Sequence, residues 1–157
     1  MARPINTRLT KEMLYEMGIR SVVWDEQNGE WWIDRYKFDK RMKKWHHLRI
    51  PVTYAICNHK YTQAKVYPKV TFGYNDKSYS YPLARFLYAW FRGEVPEGYV
   101  VDHIDNNPFN NYINPYDIND PKNNLQTMTS EENNRKRYID NPENYRNQWD
   151  AIKKNNE

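Results

Sequence analysis

Leu83, Phe86, Leu87 and Trp90 recur at helical spacing, and a stripe of that strength must be buried against something. The chain has little aliphatic material to offer it. Its hydrophobic fraction is 39% and its mean hydropathy is −1.10. The shortfall is met by 14 Tyr, 6 Trp and 5 Phe. Tyr and Trp bury large apolar faces while keeping a polar handle, so they suit a thin core under a surface committed to a polar partner. At 157 residues the expectation is one ordinary domain, or a small unit with another attached.

Around that helix, which Pro82 is expected to open at its first position and Gly93 to end, the pattern is mostly strand. Earlier, Thr10 is a candidate N-cap and Gly18 a candidate stop for a short helix with Leu9, Met13, Leu14 and Met17 on one face. Residues 21–73 read as strands. Ser21–Trp24 and Trp31–Tyr36 flank an Asn28-Gly29 turn, and Tyr67–Gly73 and Lys77–Tyr81 flank Asn75-Asp76; both read as hairpins. Tyr99–Val101 reads as a short buried strand running into Asp102-His103. Residues 105–123 are a loop rich in Asn, Asp and Pro, and Leu125–Thr129 is a strand. Ser130 then caps a helix with Glu131 and Glu132 in its first turn, where the dipole favours carboxylates. Asn141-Pro142 ends that helix, and residues 143–154 can form another.

Charge divides unevenly. Residues 1–100 hold 17 Lys and Arg against 10 Asp and Glu, a balance of +7, and residues 101–157 hold 7 against 10, a balance of −3. The basic residues Lys37, Lys40, Arg41, Lys43, Lys44 and Arg49 are interleaved with Phe38, Trp45, His46 and His47. Such a mix serves a ribbon facing nucleic acid, with cations for phosphates and rings for sugars or bases. It serves equally a soluble edge hairpin, since Lys discourages edge pairing. Cys57 is the only cysteine, which excludes a disulfide framework within the chain and a Cys-based zinc knuckle, and reads as a buried apolar residue. No apolar run is long enough to span a membrane, and Met1–Asn6 lack the apolar stretch of a signal peptide. A cytoplasmic setting is the expectation.

The chemistry is concentrated between Val100 and Asn134. A carboxylate and an imidazole, Asp102 and His103, are adjacent at a strand end, and a carboxamide, Asn133, lies in the first turn of the following helix. In a compact strand–strand–helix unit these can converge. A hard cation takes oxygen ligands, which Asp102 and Asn133 can supply. A neutral imidazole can take a proton from an attacking water near neutral pH. Successive strand side chains point to opposite faces, so a bend or bulge is expected to bring Asp102 and His103 together.

Val100-Val101-Asp102-His103-Ile104-Asp105-Asn106-Asn107, then Asn110-Asn111, then Asn124-Leu125-Gln126-Thr127-Met128-Thr129-Ser130-Glu131-Glu132-Asn133 resembles the HNH endonucleases of phages and mobile introns. The Leu83–Leu87 helix and the Val95-Pro96-Glu97-Gly98 turn match that family's lead-in, so the likeness covers roughly residues 67–137. It implies an α+β protein with a β-rich N-terminal part followed by a ββα-metal nuclease unit. The divisions expected are 1–66, a DNA-contacting region with one short helix; 67–140, the nuclease domain; and 141–157, a helical tail. It implies Asp102 as metal ligand, His103 as general base, Asn124 as the brace of loop and histidine, and Asn133 as the second ligand, an H-N-N variant. The implied cofactor is Mg²⁺ or Mn²⁺, without structural zinc or a small-molecule cofactor, and the implied partner is duplex DNA. Lys40, Arg41, Lys43, Lys44, Arg85, Arg135 and Arg137 are the candidate DNA contacts; Arg85 and the Arg135–Arg137 run have structural readings too. The stretch Tyr112–Pro121 looks like an insertion, and it makes Asn123 a competitor for the role of Asn124. Asp105 reads as a turn cap rather than a second acidic group at the metal. Two rivals stand beside the nuclease: a catalytically inactive DNA-binding or regulatory protein on the same fold, and an RNA-binding protein, suggested by the aromatics.

Overall fold

The computed structural model describes residues 8–57 and 65–140. Helix α1 (Lys11–Glu16) is followed by β1 (Ile19–Asp25), β2 (Glu30–Asp39) and β3 (Lys44–Ile50), which form one antiparallel sheet in that order. Strands β4 (Val52–Cys57), β5 (Lys65–Tyr74) and β6 (Lys77–Pro82) form a second, again in chain order. Helix α2 (Leu83–Phe91) leads to β7 (Tyr99–His103), which pairs antiparallel with β8 (Leu125–Thr129), and helix α3 (Ser130–Asp140) follows. This is a mixed α+β architecture, strand-rich at its N-terminal end.

The α2 stripe finds its core. Leu83, Phe86, Leu87 and Trp90 are buried in one hydrophobic cluster with Leu9, Leu14, Ile19, Trp31 and Ile33 from the first sheet and its helix, Val70 and Phe72 from the second, and Ile113 and Leu125 from the C-terminal region. One core therefore serves all three sheets. Strand β2 shows how the alternation works: Trp31, Ile33 and Arg35 face inward, while Trp32 and Tyr36 face out. Arg35 is a buried cation in an apolar row. Burial lowers its pKa, and the site is tolerable because the guanidinium donates to the carbonyls of Met17 and Gly73. One side chain thus ties α1 to the second sheet.

Local signals account for most boundaries. Thr10 caps α1 by accepting from the Met13 amide. Gly18 ends it at φ +103°, and a Cβ there would sit 2.2 Å from the Tyr36 carbonyl oxygen, so no other residue fits. The β5–β6 turn has Asn75 at φ 49° and Asp76 at φ 62°, the left-handed pair a two-residue hairpin turn needs. The run 21–73 is indeed strand, five strands among the described residues, divided between two sheets at Pro51, which interrupts pairing because it has no N–H. Three expectations need correction. Pro82 is the last residue of β6 and the N-cap of α2 rather than its first helical residue. Thr129, not Ser130, caps α3: its hydroxyl accepts from the Glu132 amide while the Glu132 carboxylate accepts from the Thr129 amide, a reciprocal capping box. Strand β7 is half-exposed rather than buried, with Tyr99 at 43%. The expected tail helix at 143–154 and the side chain of Cys57 lie outside the described residues.

Candidate active site

The loop from Ile104 to Asn124 is long, yet it is firmly built. Asn and Asp side chains take the place of backbone partners throughout it. Asp105 accepts from the Asn107 amide and from the side chains of Asn110 and Asn124. Burial pushes its pKa up, but those hydrogen bonds prevail and hold it below the usual carboxylate value. Asp105 is thus the turn cap expected of it. Asn124 is buried and closes the loop's neck. Its side-chain oxygen accepts from the Asp105 amide, its NH₂ donates to Asp105 and to the Asn110 carbonyl, and its own carbonyl accepts from Ile104. Asn123 works elsewhere, bonding the Asn114 amide and the Asp117 carbonyl inside the Tyr112–Pro121 stretch. That stretch is pinned to the first sheet and to the end of α2: the Tyr112 ring packs edge-on to Trp24 with centroids 5.7 Å apart, Ile113 is fully buried, and Arg92, which caps α2, donates to the Asn114 carbonyl at 2.7 Å.

Asp102 and His103 close β7. The β7–β8 register runs without a shift through Asp102 opposite Gln126 and His103 opposite Leu125, so the expected bulge is absent. The two side chains take different partners, as alternation along a strand demands. The Asp102 carboxylate accepts from Lys136 Nζ at 2.8 Å and from the Gln126 side chain at 3.0 Å. His103 Nε2 lies 2.7 Å from the Asn111 side-chain oxygen. Lys136 is turned inward, donating also to the His103 carbonyl and the Asn106 side-chain oxygen, both at 2.8 Å. Three oxygens therefore converge on one ammonium at the strand end. Asn133 stands in the first turn of α3, half-buried, on the same face as Lys136 three residues on. Among the described residues no three His, Cys, Asp or Glu side chains gather closely enough to hold a metal ion.

Two residues at this site were not singled out from sequence. Asn111 was part of a motif but carried no role. Lys136 was grouped with its basic neighbours, although its spacing from Asn133 already puts it on the inward face. Replacing Lys136 by Met should remove three short hydrogen bonds and leave Asp102, only 12% exposed, with an amide in place of a cation. A loss of about 1–3 kcal/mol in urea unfolding is expected, and an unchanged midpoint would mean that the ion pair contributes nothing.

Residues 82–135 match the family model described as HNH endonuclease. The likeness belongs to this segment. It spans α2, β7, the Asn-rich loop, β8 and the first turns of α3, about a third of the chain, and it includes Asp102, His103, Asn124 and Asn133. No curated protein matches the chain, and no solved structure does. The HNH match implies nuclease chemistry and a nucleic-acid substrate in general.

Of the candidate DNA contacts, Lys40, Arg41 and Lys43 occupy the exposed β2–β3 turn and Lys44 begins β3. A cavity of about 1140 Å³ lies beside them, between this hairpin and the β5–β6 turn, with Arg20, Lys37 and Lys77 also in its walls. Arg85 is half-buried near Tyr81, and burial lowers its pKa. Arg135 is exposed and paired with Glu131 one turn back, and Arg137 is exposed. Among the described residues no helix is long and apolar enough to cross a membrane.

Proposed function

We propose that this chain is a metal-dependent endonuclease that hydrolyses duplex DNA, with the ββα-metal unit formed by β7, β8 and α3, and that it serves a phage or mobile element in the manner of a homing enzyme. The observation that carries the reading is the coincidence of the family match with a strand end presenting Asp102 and His103 beside a helix whose first turn presents Asn133. His103 is the general base, Asn124 braces the loop behind it, and the 1–66 region supplies cationic contact to the backbone. Residues 67–140 carry the chemistry; this division is one of role, since the core is shared.

The donor set fits a hard cation. The atoms that gather around Lys136 Nζ at the strand end are all oxygens, from Asp102, the His103 carbonyl and Asn106, and they already attract a positive head group. Asp102 and Asn133 would hold Mg²⁺ or Mn²⁺, which supplies charge neutralisation at the phosphate and the leaving oxygen. The protein's own share is to fix that pair of ligands and to accept a proton from water at His103. Asn133→His should keep activity, because imidazole can also ligate. Asn133→Ala should lose activity and regain part of it at high Mn²⁺. A folded but inactive Asn133→His protein would count against the ligand role.

The Lys136–Asp102 pair is the one observation favouring the second reading, a DNA-binding protein on this fold without chemistry, because the ammonium neutralises the carboxylate. Supercoiled plasmid incubated with Mg²⁺, with EDTA, and with RNA competitor separates the readings. Nicking that EDTA abolishes and RNA leaves alone supports the nuclease. Binding without nicking supports the alternative.

A further inference from the structure

We propose that Asn111 is the positioning residue of His103, steadied from the N-terminal sheet by Trp31, and that it reserves Nδ1 of the imidazole as the nitrogen that meets water. The proposal rests on His103 acting as the base. Asn111 is 5% exposed and is held at three points. Its side-chain NH₂ donates to the Pro108 carbonyl at 2.9 Å, its side-chain oxygen faces His103 Nε2 at 2.7 Å, and its backbone carbonyl accepts from Trp31 Nε1 at 3.1 Å. Trp31 is itself fixed, 3% exposed and packed against the rings of Trp24 and Phe91.

The amide's orientation follows from chemistry. A peptide carbonyl can only accept, so the NH₂ of Asn111 must face Pro108 and its oxygen must face the histidine. That oxygen can only accept as well. Nε2 must then carry a hydrogen, and a neutral imidazole has just one, which leaves the lone pair on Nδ1. The hydrogen bond both sets the ring's tilt and assigns the nitrogens. A misplacement of the ring costs rate without costing affinity, because the ring need not touch substrate in the ground state.

The test uses the full chain with ¹⁵N-labelled histidine, at a pH well above the ordinary histidine range so that the ring is neutral. Wild type should show a proton on His103 Nε2 that exchanges slowly with water. Asn111→Ala should lose that proton signal, and kcat should fall about 10–100-fold with KM unchanged. Asn111→Asp keeps an acceptor and should keep the signal and recover part of kcat. Trp31→Phe keeps the packing without the indole donor, and it should hasten exchange of the same proton. If the alanine variant does not fold, the aspartate and Trp31→Phe proteins decide the matter. A proton on Nδ1 in wild type, or an alanine variant with unchanged signal and kcat, overturns the proposal. The proton readout needs no substrate. Its loss in Asn111→Ala supports the role of Asn111 even in a preparation that cuts nothing, an outcome that would sink the nuclease reading alone.

Discussion

Replacing His103 with alanine is expected to slow DNA hydrolysis by about 10²–10⁴-fold, the usual cost of removing a general base, with DNA affinity nearly unchanged. Only an imidazole, among unperturbed side chains, can be both neutral enough to accept a proton and acidic enough to release it near pH 7. The ring is half-buried at the last position of β7 and meets the Asn111 side chain, while the β7–β8 ladder is built from backbone, so loss of the ring leaves that pairing in place. Single-turnover cleavage with enzyme in excess isolates the chemical step, and a binding titration in EDTA reports affinity separately. Cleavage at the wild-type rate would mean that some other group activates the water.

The second large effect is expected in binding. Lys40, Arg41, Lys43 and Lys44 crowd the tip of the β2–β3 hairpin, and all four are exposed. The turn does not depend on their charges, because the Asp39 carboxylate holds it by accepting from the amides of Arg41 and Met42. They can therefore be removed without unfolding it. Alanine suits three of the positions. Lys43 sits at φ 50° and is better replaced by Asn, which tolerates that backbone. Each lost phosphate contact should flatten the dependence of log K on log salt by about 0.9 on duplex DNA, so four would flatten it by about 3.6. Cleavage of saturated DNA should change little, since Asp102, His103 and Asn133 are untouched. An unchanged slope would make the hairpin a soluble edge only, and would send the search to Arg85, Arg92 and the outer face of α3.

The elements that could be read from the chain were those written in local chemistry. The α2 stripe, the Asn28-Gly29 and Asn75-Asp76 turns and the Thr10 cap each depend on residues within a few positions of one another. The capping box Thr129-x-x-Glu132 was equally local, and attention to Glu132 would have moved the cap from Ser130 by one residue. The switch between sheets at Pro51 was harder, because a proline between two strand-like runs is compatible with an edge strand or a break. In the candidate site, the motif pointed to Asp102, His103 and Asn124, but not to the side chains that meet them. Asn111 reaches His103 only because the loop folds back on itself through Asn124 and Asp105. Lys136 meets Asp102 across 34 residues. Such meetings depend on how the loop and α3 fold back onto β7, and no local pattern encodes that path.

The indole–carbonyl bond from Trp31 to Asn111 spans 80 positions of sequence. Its consequence is for transplantation. Exchanging the first sheet while keeping the HNH-like segment would also remove the donor behind the loop that cradles the imidazole. A functional graft must carry, at the position of Trp31, a rigid ring with an N–H aimed at the same carbonyl, and a neighbour to receive Tyr112. Under the proposed function, target choice and catalytic competence would be inherited together, and new specificities would be sought on the outward face of β2 and β3 before replacing the strands.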